Sequence, residues 1–262
     1  MIFQRQMDLL KSGTGLDYPP TPYYPEGLDG VGYLDNIYNF DFGGFYEWII
    51  QKEAWAWSVY TLPLDGQADN TPPPHRFWGI TIFEEQGIGA PTARCITDKD
   101  ESFHPLMDIA CEAICQIYNC PFDVFSIHVN GQTAGQKANV HVDTSDALVI
   151  MLTPNWKEEY EGGLGFFNPE KENYNEAYYT IPYKTGRINY FHGTKGHTEG
   201  YWHEMSRVND KPVWHSAHAP SLDCPMLRIT MNIKGRAHYP GNSLDPGDKH
   251  GIRLHEHALV KK

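Results

Sequence analysis

The residues with the clearest chemical potential form a split set. His141-Val142-Asp143 lies mid-chain. His215 opens the run His215-Ser216-Ala217-His218-Ala219-Pro220, and Arg228 follows in Leu227-Arg228-Ile229-Thr230. Two histidines and one carboxylate can hold a divalent iron on one face and leave the opposite face open. A downstream arginine supplies the planar fork that pairs with a carboxylate, which a lysine would not reproduce. On a strand, residues two apart project to the same side, so His141 and Asp143 point together. The third ligand must come from a distant strand, and His215 and His218 compete for that place on opposite faces. His215 shares its face with Ala217 and Ala219, small residues that leave room for a metal and a cosubstrate. The face of His218 carries Ser216. His215 is therefore preferred. Thr230, two residues beyond Arg228, faces the same way and can donate a second hydrogen bond. A single His-x-Asp recurs by chance; its conjunction with strand context, a later histidine and a strand arginine is far more specific.

The elements that must position these residues are mostly strands. Residues 1–40 are rich in Pro, Tyr, Gly and Asp, and proline fixes φ and removes donors, so an irregular arm is expected there. A helix is predicted over 42–57 with Asp41 as its cap. A polar, proline-rich loop follows over 67–74, then a strand over 77–83. A second helix begins at Pro105, where Leu106, Ile109, Ala110, Ala113, Ile114 and Ile117 make an apolar stripe that reads as core. From 122 onward the pattern alternates as strands, over 124–129, 138–143, 147–152, 163–167, 178–181, 187–191, 213–217 and 227–233. Eight or so strands broken by Gly/Pro turns imply a sandwich or jelly roll, with the N-terminal helices packed on one outer sheet face. The predicted organisation is an arm (1–40), one domain (41–238, with helical support over about 41–120 and a β core over about 121–235) and a C-terminal extension (239–262).

Bulk properties narrow the function. With 262 residues the chain can bury a full core, and 40% hydrophobic against 21% charged residues is ordinary for a globular protein. The formal net charge is −12 and no Lys/Arg run reaches the density that phosphate binding needs, so nucleic acid is a disfavoured partner. No stretch approaches the roughly twenty apolar residues of a membrane span, and the N-terminus lacks a signal-peptide pattern. Cys95, Cys111, Cys115, Cys120 and Cys224 do not fall at zinc-pair spacing. They read as reduced, mostly buried thiols, which fits a cytoplasmic location.

With these residues in view, the sequence resembles the Fe(II)/2-oxoglutarate-dependent oxygenases, in the prolyl 4-hydroxylase-like branch, over about 120–235. The matching segments are 129–135 leading into His141-Val142-Asp143, Trp156 followed by 161–167, Gly186 to Phe191, the His215 run, and Leu227-Arg228-Ile229-Thr230 with Lys234. The resemblance implies a double-stranded β-helix of cupin-like jelly-roll type. It implies His141, Asp143 and His215 as iron ligands and Arg228, with Thr230, as the clamp for the far carboxylate of 2-oxoglutarate. It further implies O2 as cosubstrate, ascorbate as an accessory reductant, and release of succinate and CO2. Halogenating relatives need the carboxylate position vacated, so Asp143 implies hydroxylation, with desaturation and demethylation as other outcomes. Asn130, Gln132 and Trp156 are expected near the pocket, Trp156 equally as a core aromatic.

The expected substrate is peptidyl (prolyl-like) or a free amino-acid-like molecule. A nucleic-acid or small-molecule demethylase of the same chemistry and a non-catalytic cupin-like binding protein are the competing readings. The chain departs from the family pattern in a long polar insertion over 192–212. Its His192, His197 and His203 are alternative ligands, and the segment is expected to act as a lid or oligomer contact at the mouth of the site.

Overall fold

The computed structural model describes residues 25–26, 28, 31–35, 40–60, 76–84, 94–95, 101–118, 122–143, 145–168, 176–191 and 213–237. The expected loop over 67–74, the insertion over 192–212, the tail from 239 and the first 24 residues lie outside these. Among the described residues, no helix is long and apolar enough to cross a membrane.

Twelve strands and two α-helices are described. The strands are β1 (Val31–Asp35), β2 (Ala56–Tyr60), β3 (Arg76–Glu84), β4 (Arg94–Cys95), β5 (Phe122–Gln132), β6 (His141–Val142), β7 (Asp146–Met151), β8 (Leu164–Phe166), β9 (Tyr179–Ile181), β10 (Arg187–Phe191), β11 (Trp214–Ala217) and β12 (Arg228–Ala237). The helices are α1 (Phe42–Ile50) and α2 (His104–Tyr118). One sheet runs β1-β10-β7-β12-β5-β3-β2, with β4 on β3; the other runs β6-β11-β8-β9. From β5 to β12 the chain passes between the two sheets, with β5, β7, β10 and β12 in the larger and β6, β8, β9 and β11 in the smaller. That eight-strand weave is a jelly roll, one of the two architectures expected from the strand pattern, and the double-stranded β-helix that the resemblance implied.

Strand alternation divides β12 into two chemistries. Ile229, Met231 and Ile233 are fully buried in a core that includes Leu106, Ala110 and Ile114 of α2. The intervening Arg228, Thr230, Asn232 and Lys234 line a cavity on the other face. A second apolar cluster, including Val149, Met151, Leu164, Phe166 and Phe191, is contributed by both sheets. The apolar stripe of α2 is thus core, as expected from its spacing.

Three local expectations are corrected. The helix predicted over 42–57 stops at Ile50. Asp41 caps it as anticipated, accepting from the Gly44 amide at 2.9 Å. Its end is closed by the Lys52 amide and the Trp55 indole, both donating to the Ile49 carbonyl. The aromatic-rich run after it pairs as β2 against β3, Trp57 opposite Trp78, so the segment expected as helical support also supplies strands. Within the expected irregular arm, Val31–Asp35 is an edge strand on β10. Gly32 admits the Tyr190 ring there, which lies 2.7 Å from where a Cβ would stand, and Asp35 pairs with Arg187 and Lys184. The strand predicted over 138–143 narrows to β6, because the Ala138 carbonyl accepts from the Ser216 hydroxyl instead of joining a ladder.

Cys111, Cys115 and Cys224 form no disulfide, and Cys111 and Cys115 sit one turn apart on α2. Burial, with Glu112 beside it, pushes the Cys115 thiol up to about 11. At pH 8 about one native molecule in a thousand then carries the thiolate, against about one in ten for an unfolded thiol. Alkylation of Cys115 at pH 8, followed by peptide mass spectrometry, is expected to be about a hundredfold slower in native than in denaturant-unfolded protein, and the native rate to climb through pH 9–11.

Candidate metal centre

His141 on β6 and His215 on β11 are direct cross-strand partners in the smaller sheet. Cross-strand neighbours bring their side chains to within a few ångströms on one face, and here the two imidazole centroids are 4.3 Å apart. Asp143 lies just past the end of β6. Its Oδ1 is 3.9 Å from His141 Nε2 and its Oδ2 is 3.5 Å from His215 Nε2. The three residues bring one ligand atom each to within 4.8 Å of one another, the spacing of a shared ion.

The ring orientations are set by the backbone. His141 Nδ1 is 3.0 Å from the Asn139 carbonyl, and His215 Nδ1 is 2.9 Å from the Val213 carbonyl. A carbonyl only accepts, so in both rings Nδ1 carries the hydrogen and Nε2 presents its lone pair to the centre. Burial, then the neighbouring His215, pulls the His141 imidazole down to about 4, which keeps it in the neutral form that ligates a metal. For Asp143 burial acts upward, but Lys234, then His215 and His141, outweigh it and hold the carboxyl well below its usual range. Lys234 donates to Asp143 Oδ1 at 2.5 Å.

The other end of the cavity is built around Arg228, the first residue of β12, only 1% exposed. Its Nε donates to the Gly162 carbonyl and its Nη1 to Gln132 Oε1, each at 2.5 Å. The guanidinium lies over the Tyr183 ring at 5.1 Å, and Trp156 packs on that ring at 4.4 Å. The Tyr183 hydroxyl is itself fixed, donating to the Ile229 carbonyl and accepting from the Thr153 amide. Arg228 Nη2 is buried and has no hydrogen-bond partner among the described residues. Burial lowers this guanidinium to about 10, so it stays charged at neutral pH. A buried cation with an unpaired amino group is costly unless an anion meets it.

Both ends open on one cavity of about 390 Å³. His141, Asp143, His215, Arg228 and Thr230 all line it, as do Asn130 and Gln132. Trp156 does not; its indole donates to the Glu161 carbonyl and its ring packs on Tyr183, the core alternative. His218 is also elsewhere: its ring packs against Gly165 and lies 6.2 Å from Phe167, outside the ligand cluster. The alternation on β11 that favoured His215 is thus realised in space. Lys234 as partner of Asp143, and Tyr183 and Gly162 as the seat of Arg228, were not anticipated. Lys234 stands six residues beyond Arg228, among the segments that carry the resemblance, but with no role given to it there.

Fold and site together define a jelly-roll protein with a two-histidine, one-carboxylate centre and a buried arginine in the same chamber. No family model and no curated protein matches the sequence. Among solved structures, the chain is similar to a Pseudomonas putida prolyl-4-hydroxylase, at 12% identity over 62% of this chain and 73% of that one, with a TM-score of 0.34. It is similar to the prolyl hydroxylase from Trichoplax adhaerens in complex with a hypoxia inducible factor peptide, at 11% identity over 90% of both chains, with a TM-score of 0.43. It is also similar to the non-heme alpha ketoglutarate dependent epimerase SnoN from nogalamycin biosynthesis, at 10% identity over 93% of this chain and 92% of that one, with a TM-score of 0.47.

Proposed function

We propose that the chain is an Fe(II)- and 2-oxoglutarate-dependent oxygenase that hydroxylates an aliphatic C–H of a peptidyl (prolyl-like) or free amino-acid-like substrate. The observation that carries this reading is the conjunction in one cavity of the His141–Asp143–His215 cluster with a buried guanidinium that has an unpaired donor. Two imidazoles and a carboxylate, all on one side, suit Fe(II) and leave open positions. The orphaned Arg228 Nη2 suits a carboxylate delivered from inside the chamber.

When bound, iron with 2-oxoglutarate and O2 supplies oxidative decarboxylation to succinate and CO2, coupled to C–H hydroxylation. The chain's own residues hold and orient. His141 and His215 offer fixed Nε2 lone pairs, and Asp143 offers an ionised oxygen. Arg228 Nη2, with the Thr230 hydroxyl two residues on, takes the far carboxylate of the cosubstrate and sets its reach toward the centre. Val149, Leu164 and Ala217 give this chamber apolar wall, which limits water beside the reacting atoms.

The test is anaerobic addition of Fe(II) and 2-oxoglutarate, read as a weak visible charge-transfer band, followed by succinate release in air with and without ascorbate. Band and release are expected in the wild-type protein. His215→Ala is expected to lose both, and His218→Ala to keep both; the reverse pattern overturns the ligand assignment. A folded protein with neither band nor succinate is the binding-module outcome.

Gly162 gives a sharper geometric check. Its φ is +72°, and a Cβ there would stand 3.0 Å from both Arg228 Cδ and Trp156 Cζ2. Gly162→Ala must therefore shift the guanidinium as well as strain the backbone. The expected result is a rise of about tenfold or more in the KM for 2-oxoglutarate, with Fe(II) affinity unchanged, since small misplacements of a clamp cost that much.

A further inference from the structure

The cavity is graded from a sealed end to an open one. Gln132, Arg228 and Thr230 are each 3% exposed or less, whereas Asn232, His128 and Lys234 are half-buried and Thr81 is exposed. The exposed end is a row crossing three adjacent strands of the larger sheet. Asn232 of β12 is the cross-strand partner of His128 of β5, and His128 is the partner of Thr81 of β3. The Thr81 hydroxyl and His128 Nδ1 are 3.3 Å apart. All three line the cavity, and Lys234 stands two residues beyond Asn232 on the same face.

The charges along this gradient do not balance once the site is filled. The charged lining residues are Asp143, Arg228 and Lys234. On the proposed reading, the Asp143 carboxylate is given to the metal and Arg228 is neutralised by the far carboxylate of 2-oxoglutarate. With a dication and a dianion bound, one positive charge is left over, and it belongs to Lys234. Its ammonium has three donors. One is directed to Asp143 Oδ1, and Asp143 is its one partner among the described residues. Lys234 is half-buried at the open end and lines the same cavity as the polar row.

We infer that Lys234 is the substrate-recognition cation of this site, and that the substrate is a compact free carboxylic acid carrying further hydrogen-bonding groups, as a free amino acid does. The carboxylate pairs with the Lys234 ammonium beside the metal face. The other polar groups lie along Asn232, His128 and Thr81. This deepens the oxygenase reading and rests on it. It selects the free acid over a peptidyl residue, whose carboxyl is tied up as an amide and offers Lys234 no charge.

The experiment uses the Fe(II)- and 2-oxoglutarate-loaded full chain. Succinate release is measured with an equimolar mixture of the proteinogenic amino acids, with the matched mixture of their primary amides, and with capped tripeptides. The acids are expected to raise release several-fold above the substrate-free rate, and the amides and capped peptides not to. After deconvolution to the active acid, Lys234→Met is expected to raise its KM by about 10- to 100-fold, and Lys234→Arg to restore it to within a few-fold. Metal loading of each variant is checked by the charge-transfer band, and folding by circular dichroism. Equal stimulation by amides or capped peptides overturns the inference. So does no response to the acids in protein that forms the band, or an unchanged KM in Lys234→Met. Absence of both the band and substrate-free succinate release overturns the oxygenase reading instead.

Discussion

Replacing Arg228 with methionine is expected to raise the KM for 2-oxoglutarate by about two to three orders of magnitude, while Fe(II) still binds at His141, Asp143 and His215. The size follows from burial. The guanidinium is 1% exposed, so a carboxylate that reaches it gains a charge-assisted bond with little competition from water. The geometry also limits how the pair forms. Nε and Nη1 are already committed to Gly162 and Gln132, leaving Nη2 as the free donor among the described residues. The fork expected from sequence is thus half used by the protein to hold itself still, and the cosubstrate takes what remains. Arg228→Lys keeps the charge but loses two anchors, so its KM is expected to fall between wild type and Arg228→Met. A thermal measurement separates this from a folding defect. In the metal-loaded wild-type protein, 2-oxoglutarate relieves a buried, under-paired cation and is expected to raise the unfolding temperature. In Arg228→Met that shift is expected to vanish. A shift of equal size in the variant would remove Arg228 from the clamp.

How much of this was legible in the sequence depended on the range of the interaction. Period-two alternation placed Arg228 with Thr230, because a strand fixes the face of each side chain regardless of what packs on it, and it placed His141 with Asp143, which lies one residue past Val142, the end of β6. The α2 stripe and the Asp41 cap were readable for the same local reason. The edge strand β1 was hidden inside a proline- and glycine-rich arm, since what orders Val31–Asp35 is its ladder to Phe191–Arg187, some 150 residues away. The early end of α1 depended on a tertiary choice too. The helical spacing read through Ala56 gives way to a strand, in which Trp57 packs against Trp78 across the ladder. The seat of Arg228 draws on β5, the loop before β8, the segment after β9 and β12, and no sequence pattern joins Gln132, Gly162 and Tyr183. Lys234 was visible only among the segments that carry the resemblance. That it meets Asp143, just past the end of β6, is a contact between the two sheets that no local pattern records.

Asp143→Ala is expected to abolish the charge-transfer band and reduce succinate release by at least about a hundredfold, beyond the roughly 10- to 100-fold that loss of an outer-shell partner costs a metal site. The substitution removes the one anionic ligand and leaves two imidazoles, with Lys234 and Arg228 still in the chamber. A dication would then enter a site whose charged lining is wholly positive. Asp143→Asn isolates the charge from the shape. It keeps an oxygen in place but surrenders the negative charge, so its metal affinity is expected to stay close to that of Asp143→Ala. Stability should respond differently. Asp143 is nearly buried and Lys234 about one-third exposed, so the lysine can recover some water when its partner is lost. The cost of Asp143→Ala to folding is therefore expected to be about 1 kcal/mol, at the exposed end of the range for ion pairs. Removing Lys234 as well should return part of it, and a double-mutant cycle by denaturant unfolding of the metal-free protein measures that coupling. A coupling of zero would mean that the Lys234–Asp143 contact contributes nothing to the fold. The loss of metal binding would then be assigned to the ligand alone, leaving Lys234 to the substrate.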